Sequence, residues 1–116
     1  MTKKIGIVGP CASGKTTLIK NLMEFGFSGI HIAQEHSYVP DMWKRLTDPD
    51  ILIYLDVSYQ RSLQRQAMDW TEKEFNEQLR RLQHAKEHSD IFLNTDYLTP
   101  SEVLEKVLKY LQVDYH

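Results

Sequence analysis

The sequence contains very little cysteine, no long apolar run and no large excess of charge of either sign. Its single cysteine excludes an internal disulfide and favours a reducing compartment. The formal net charge is -2, from 14 basic and 16 acidic residues, so we expect no nucleic-acid or membrane partner. No apolar segment is long enough to span a bilayer and no signal-peptide pattern precedes the first apolar run, so we expect a cytoplasmic protein.

The 116 residues show no internal repeat, linker or low-complexity tract, which predicts one domain over residues 1–116. Short apolar runs at residues 4–8, 29–33, 51–55 and 91–93 have strand length. Amphipathic segments follow them, and capping signals stand at Ser58, at Thr71 with Glu74 and at Thr99 with Glu102. Residues 58–69 and the segments after the two capping boxes are predicted helices, and residues 40–47 form a turn or two. This alternation predicts an α/β fold, a three-layer αβα sandwich around a short parallel sheet of about four strands.

Residues 9–16 read Gly-Pro-Cys-Ala-Ser-Gly-Lys-Thr and match the Walker A pattern G-x-x-x-x-G-K-[ST] at every constrained position. The pattern carries meaning between a strand and a helix, because N–H groups at the helix N-terminus then point at the anion. Residues 4–8 supply the strand, and residues 15–25 carry apolar side chains at helical spacing before Gly26. The sequence therefore predicts a phosphate-binding loop after the first strand.

The residue types of this loop suit polyphosphate and Mg²⁺. Gly9 and Gly14 allow the backbone to curl until successive N–H groups converge on phosphate. Lys15 would neutralise the terminal phosphates, and the Thr16 hydroxyl would hold Mg²⁺. We expect ATP and Mg²⁺ as cofactors, since no guanine signature Asn/Thr-Lys-x-Asp is present. The expected nucleotide-binding residues of the loop are Gly9, Pro10, Cys11, Ala12, Ser13, Gly14, Lys15, Thr16 and Thr17.

Two other groups of residues are interpreted structurally. Cys11 would be a nucleophile in a C-x5-R phosphatase loop, but that pattern needs arginine where Thr17 stands, so Cys11 is interpreted as a spacer. His84 and His88 have the i, i+4 spacing of a zinc pair without an H-E-x-x-H motif, and we expect both to be surface residues.

Three segments resemble the P-loop kinases of nucleosides, nucleotides and shikimate. Residues 9–17 are similar to their phosphate loop, residues 49–58 (Pro-Asp-Ile-Leu-Ile-Tyr-Leu-Asp-Val-Ser) look like the strand leading into their lid, and residues 90–105 look like their last strand, base loop and closing helix. The first segment alone is specific in itself. The resemblance implies phosphoryl transfer from a nucleoside triphosphate, with the base held by residues 94–98, including Asp96.

The resemblance also makes Arg61 and Arg65 candidates for the lid, since arginines after the Leu-Asp-Val strand reach over the phosphates in that family. Their i, i+4 spacing places them on one helix face. Planar guanidinium groups can follow charge onto the equatorial phosphoryl oxygens. Ordinary arginines on a solvated face are the alternative, and the sequence favours neither.

Glu35, after the second strand, and Asp56, after the third, are the candidate acids for Mg²⁺. Glu35 is preferred because Glu35-His36-Ser37 partly resembles a Glu-Arg-Ser stretch that assists the metal in deoxynucleoside kinases. A second glutamate of those kinases acts as a base toward the acceptor hydroxyl, which makes Glu35 a catalytic candidate as well. A surface-turn role for Glu35 and a helix-capping role for Asp56 remain open.

The chain departs from the family where the acceptor should bind. Fewer than twenty residues separate Ser37 from Leu52, and the additional strand and the Asp-Arg motif of the family are missing. Tyr38, Met42 and Trp43 either form an apolar floor for a compact hydroxyl or phosphate acceptor or plug the edge of the core. A kinase-like phosphotransferase, a nucleotide-binding sensor and a slow NTPase are therefore all compatible with the sequence. The sequence does not indicate an oligomeric state.

Overall fold

The computed structural model describes residues 3–66 and 70–111 of the chain. Its strands are β1 (Ile5–Val8), β2 (Gly29–His31), β3 (Ile51–Asp56) and β4 (Ile91–Asn94). Its α-helices are α1 (Lys15–Met23), α2 (Met42–Leu46), α3 (Tyr59–Arg65), α4 (Glu72–Glu87) and α5 (Pro100–Leu111), and a single 3-10 turn spans Gln34–His36.

The four strands form one parallel sheet in the order β2-β1-β3-β4. Ile5 of β1 lies opposite Gly29 of β2 and Ile51 of β3, and Ile53 of β3 lies opposite Ile91 of β4. Parallel neighbours need crossover connections, and helices supply them here. The predicted α/β class with a short parallel sheet is confirmed, and the carboxyl ends of all strands meet at one edge of the sheet.

Helices cover both faces of the sheet, as the three-layer prediction requires. The first face packs against α1 and α5 through a cluster that includes Ile7, Ile53, Leu18 and Val107. The opposite face packs against α2 and α4 through a second cluster of buried residues, which are Val8, Ile32, Trp43, Leu52, Tyr54, Leu82 and Ala85. Because neighbouring residues of β3 alternate between the two clusters, the unbroken apolar run of β3 is buried on both sides.

The predicted helix starts are confirmed at three places. Ser58 caps α3 by accepting a hydrogen bond from the Arg61 N–H at 3.2 Å. Thr71 and Glu74 form a complete capping box at the start of α4. The backbone N–H of Thr99 donates to Glu102 at 2.9 Å, and the backbone N–H of Glu102 donates to the Thr99 hydroxyl at 3.1 Å. These local hydrogen bonds satisfy N–H groups that the first helical turn leaves without partners.

Several predicted element ends differ from the structure, among them those of the second strand and of α3. The second strand ends at His31 instead of residue 33, because the chain turns into the Gln34–His36 3-10 turn after Ile32. Helix α3 ends at Arg65 instead of continuing toward residue 69, and residues 67–69 lie outside the described residues. Within the described ranges no helix has the length and apolar character needed to cross a membrane.

Candidate functional site

The 9–16 loop joins β1 to α1 at the carboxyl edge of the sheet. Ala12 and Gly14 have left-handed backbone conformations, with φ of 69° and 100°. At Gly9 a Cβ atom would overlap the Leu55 carbonyl oxygen of β3, so the loop can lie this close to the neighbouring strand only with glycine. A turn closed by the hydrogen bond from the Ser13 N–H to the Pro10 carbonyl, 3.2 Å, then leads into the helix.

Four consecutive N–H groups at the start of α1 remain available. Among the described residues, the N–H groups of Gly14, Lys15, Thr16 and Thr17 find no hydrogen-bond acceptor, whereas Leu18 already donates to the Gly14 carbonyl at 3.0 Å. The positive end of the helix dipole adds to these donors. The start of α1 therefore has the donor set of an anion site.

The Lys15 side chain is buried and lies inside the curve of the loop. Its ammonium group donates to the Gly9 carbonyl at 2.5 Å, to the Pro10 carbonyl at 3.2 Å and to Oε2 of Glu35 at 3.0 Å. The Lys15 and Glu35 side chains are 6% and 3% exposed, so this ion pair lies out of bulk solvent. The predicted catalytic lysine and the preferred predicted acid are thus in direct contact.

Two buried oxygens at the loop lack hydrogen-bond partners within the described part of the chain, Oε1 of Glu35 and Oγ of Ser13. Buried polar atoms of native proteins are nearly always satisfied, because leaving one without a partner costs about 1–3 kcal/mol. Glu35 is 2% exposed and also lines the cavity described next. The second carboxylate oxygen of Glu35 is therefore positioned to interact with a ligand or an ion.

A cavity of about 620 Å³ opens beside the loop. Its lining includes the polar side chains of Lys15, Thr16, Glu35 and Arg65 together with several apolar side chains. The remaining lining residues are Cys11, Ala12, Ser13, Gly14, Thr17, Leu18, His31, His36, Gln66, Thr95, Leu98, Pro100 and Val103. This volume falls within the range of small-molecule sites, about 300–1,000 Å³.

The structure separates the two predicted lid arginines. Arg65 lines the cavity and donates to the Ala12 carbonyl at 3.1 Å, to the Thr95 hydroxyl at 2.9 Å and to the Thr95 carbonyl. Burial, and then the nearby charge of Arg61, lower the pKa of Arg65 from its ordinary value. Arg61 instead donates to the Asp96 carbonyl at 2.7 Å, and it is not among the described residues that line the cavity.

The residues predicted to bind the metal or the nucleotide base also differ in whether they line the cavity. Thr16 and Glu35 line the cavity, whereas Asp56 does not; of the described side chains, Asn94 donates to Asp56 at 3.4 Å. Asp96 accepts a hydrogen bond from the Ser58 N–H at 2.8 Å and so ties the 94–98 loop to the start of α3. The roles assigned to these residues stay predictions.

Helix α4 contributes residues that the sequence did not indicate. The Gln78 amide accepts a hydrogen bond from the Cys11 N–H at 3.1 Å and donates to the Cys11 sulfur at 3.3 Å. Arg81 donates to the Glu35 carbonyl at 3.3 Å. Gln78 lies between Phe75 and Leu82 on the buried face of α4. A polar residue within an apolar stripe at helical spacing is the feature of the sequence that could have indicated Gln78 as a functional residue.

The segment after β2, where the resemblance would place an acceptor, is packed against α4. Gln34, fully buried, donates to the Val39 and Arg81 carbonyls and accepts from the Trp43 N–H at 2.8 Å. Trp43 is buried in the second cluster, so it plugs the core, whereas Tyr38 is 82% exposed.

The Trp43 indole donates to Nδ1 of His84 at 3.0 Å, and the half-buried His84 ring stacks on His88 at 4.3 Å. His88 is exposed as expected, whereas His84 is partly covered by the indole of α2 and remains only partly exposed.

No protein-family model matches this chain, and no curated protein is similar enough to it to count as a match.

Proposed function

We propose that the protein binds a nucleoside triphosphate, ATP in the first instance, with Mg²⁺ beside the 9–16 loop and transfers the terminal phosphoryl group to a small acceptor. One observation carries the proposal: four N–H groups without acceptors among the described residues lie next to a buried lysine in the wall of a cavity of about 620 Å³. A pocket for polyphosphate needs this combination of donors and positive charge.

The donor set around the loop also fits the proposed cofactors. Thr16 and Glu35 offer hydroxyl and carboxylate oxygens in the same cavity wall, the ligand type that Mg²⁺ prefers. When bound, Mg²⁺ supplies positive charge that offsets the charge of the phosphates. Among the lining residues, Leu98 and Val103 offer apolar surface against which a base can pack.

Each polar group then has a chemical task. The N–H groups of α1 orient the phosphates, and Lys15 exchanges a carbonyl partner for a phosphate oxygen. Arg65 approaches from the β3 side and can stabilise negative charge on the transferring group. Glu35 positions the acceptor hydroxyl from the β2 side, where His31 and His36 complete the wall.

Calorimetry with Mg-ATP tests the binding step. We expect Lys15→Ala to weaken binding roughly 100-fold, about 2.7 kcal/mol, because the bound phosphates lose their buried cation. Lys20→Ala is the matched control, since Lys20 is a solvent-exposed lysine of the same helix. Equal affinity of the two variants, or no binding by the unmodified protein, would contradict the proposal.

A nucleotide-binding sensor without turnover is the second candidate function. The packing of Gln34 and Trp43 against α4 favours it, because the segment that holds the acceptor in larger kinases is here part of the core. Incubation with Mg-ATP and a panel of small alcohols, sugars and phosphate esters separates the possibilities. A phosphorylated acceptor supports the kinase, nucleoside diphosphate without any phosphorylated acceptor supports slow hydrolysis, and binding without product supports the sensor.

A further inference from the structure

Three side chains with metal-binding atoms meet at the wall of the cavity. The sulfur of Cys11, a carboxylate oxygen of Glu35 and a ring nitrogen of His36 all lie within 4.8 Å of one another. The Cys11 sulfur is 3.9 Å from Nε2 of His36, and that nitrogen is 3.8 Å from Oε2 of Glu35. We propose that Cys11, Glu35 and His36 form a binding site for Zn²⁺.

The ligand set distinguishes Zn²⁺ from the Mg²⁺ of the proposed function. Zinc is bound by thiolate, imidazole and carboxylate groups, whereas Mg²⁺ takes oxygen ligands and binds sulfur poorly. Tetrahedral zinc places such ligand atoms about 3.3–3.6 Å apart, so the Cys11–His36 separation of 3.9 Å needs only a small contraction. The 3.8 Å separation from His36 is to Oε2 of Glu35, the oxygen that also accepts a hydrogen bond from Lys15. Three protein ligands leave a fourth position for water or another small ligand.

Glu35 provides an independent indication of a ligand at this place. Glu35 is almost completely buried and is one of the residues that line the cavity. Its Oε2 accepts a hydrogen bond from the Lys15 ammonium. Oε1 has no hydrogen-bond partner among the described residues. A cation coordinated by this oxygen would remove the cost of an unsatisfied buried carboxylate.

Residues of α4 hold two of the three ligands in place. The Gln78 amide donates to the Cys11 sulfur at 3.3 Å, and Arg81 donates to the main-chain carbonyl of Glu35 at 3.3 Å. Such outer hydrogen bonds orient metal ligands and stabilise their charged forms. The His36 side chain is 61% exposed, so the metal has a route to the cluster from solvent.

The proton released on zinc binding is accounted for, and the proposed site carries a net charge of about +1 once the Lys15 ammonium is included. Zinc binding converts the Cys11 thiol to a thiolate and releases that proton to solvent, while His36 binds as neutral imidazole. The thiolate and the Glu35 carboxylate then face Zn²⁺ and the Lys15 ammonium. The site does not require bound nucleotide, so the inference goes beyond the proposed function.

Metal titration of the reduced protein tests the site. We expect about one Zn²⁺ per chain, proton release that depends on Cys11, and a sulfur-to-metal charge-transfer band when Co²⁺ replaces Zn²⁺. Cys11→Ser and His36→Ala should each weaken binding by about 100-fold or more, because loss of an outer-shell partner alone costs 10–100-fold. His31→Ala is the matched control, a histidine in the same cavity wall outside the cluster, and it should retain the affinity of the unmodified protein.

Two results would overturn the inference: equal zinc affinity in Cys11→Ser and the unmodified protein, or a Co²⁺ complex of the unmodified protein without a sulfur band. The second result needs no variant and therefore stands even if a substitution prevents folding. Lys15→Ala separates the two proposals, since it should bind ATP roughly 100-fold more weakly and keep its zinc affinity. Loss of zinc in Lys15→Ala but not in Cys11→Ser would assign the metal to a different site.

Discussion

Glu35 and Arg65 line one cavity, and the structure holds them there differently. Glu35 follows β2 and Arg65 follows β3, the two strands that flank β1. Glu35 is 2% exposed, pairs with Lys15 and is bonded through its main chain to α4. Arg65 belongs to a short helix, is exposed and contacts only main-chain carbonyls and one hydroxyl among the described residues. The acid is therefore fixed by the core, whereas the arginine can change rotamer without disturbing it.

Removal of each side chain should reveal this difference most clearly in stability. Glu35→Ala leaves the buried Lys15 ammonium without its carboxylate, and we expect the free energy of unfolding to fall by about 3–5 kcal/mol. Arg65→Ala should cost less, about 1 kcal/mol, because Arg65 is an exposed residue whose hydrogen bonds go to neutral oxygens. Urea unfolding with a common slope measures both values.

A double variant checks the cause of the larger loss. Lys15→Met combined with Glu35→Leu removes both charges, so part of the stability lost in Glu35→Ala should return. If the two single alanine variants lose equal stability, the contrast between a fixed acid and an adjustable arginine is wrong.

Turnover should separate the two arginines, which the sequence left equivalent. We expect Arg65→Ala to lower kcat about 100-fold, equivalent to about 2.7 kcal/mol, with little change in KM for ATP, because its guanidinium acts on charge that develops in transfer. Arg61→Ala should change kcat much less, since Arg61 bonds the Asp96 carbonyl outside the cavity. Steady-state measurement of nucleoside diphosphate release gives both constants, and equal losses of kcat would return both arginines to one role.

Gln78 tests whether α4 holds the loop as well as the acid. Gln78→Leu leaves the Cys11 N–H without its acceptor, and we expect a loss of about 1–3 kcal/mol in the free energy of unfolding. Gln83→Leu is the control, since Gln83 lies on the exposed face of the same helix and bonds only Glu87 among the described residues. Thermal unfolding of the two variants should differ by several degrees, and identical values would remove α4 from the support of the loop.

The smallest effect concerns Tyr54, which is buried in the second cluster, between the sheet and α4. Burial, and then the negative charges of Asp56 and Glu35, raise the pKa of Tyr54 above its ordinary value of 10.0. Above pH 10 the unfolded chain therefore binds fewer protons than the folded one, and stability falls by up to about 1.4 kcal/mol per pH unit. Tyr54→Phe should lose less stability than the unmodified protein between pH 9 and 11. The difference between the two unfolding free energies should therefore change with pH, and a constant difference would contradict the assignment.

The sequence predicted the elements whose signals are local. The apolar run of β3, the capping boxes at Thr71 and Thr99 and the left-handed Gly14 are set by residues close together in the chain. The end of β2 was misplaced by two residues, because Gln34 is drawn into hydrogen bonds with α2 and α4 that no local pattern indicates.

The site was predictable where it lies on one segment and less so where segments meet. Lys15 and Glu35 were both selected as functional residues, but their contact depends on β2 pairing with β1. Arg61 and Arg65 share a helix face, and helical spacing does not show which side chain reaches the cavity. That depends on contacts with Asp96 and Thr95, which are 35 and 30 positions away in the chain. Gln78 was missed because its partner, Cys11, is 67 positions distant.

The salt link between Lys15 and Glu35 sets a threshold for what can occupy the loop. An entering anion competes with a carboxylate already attached to the same ammonium, so it must offer more charge or more acceptor oxygens than Glu35 does. Chloride or acetate gains little by that exchange, whereas a chain of phosphates also reaches the helix donors. If the loop binds phosphates as proposed, this exchange would favour ions of high charge before any contact with a base or sugar is made.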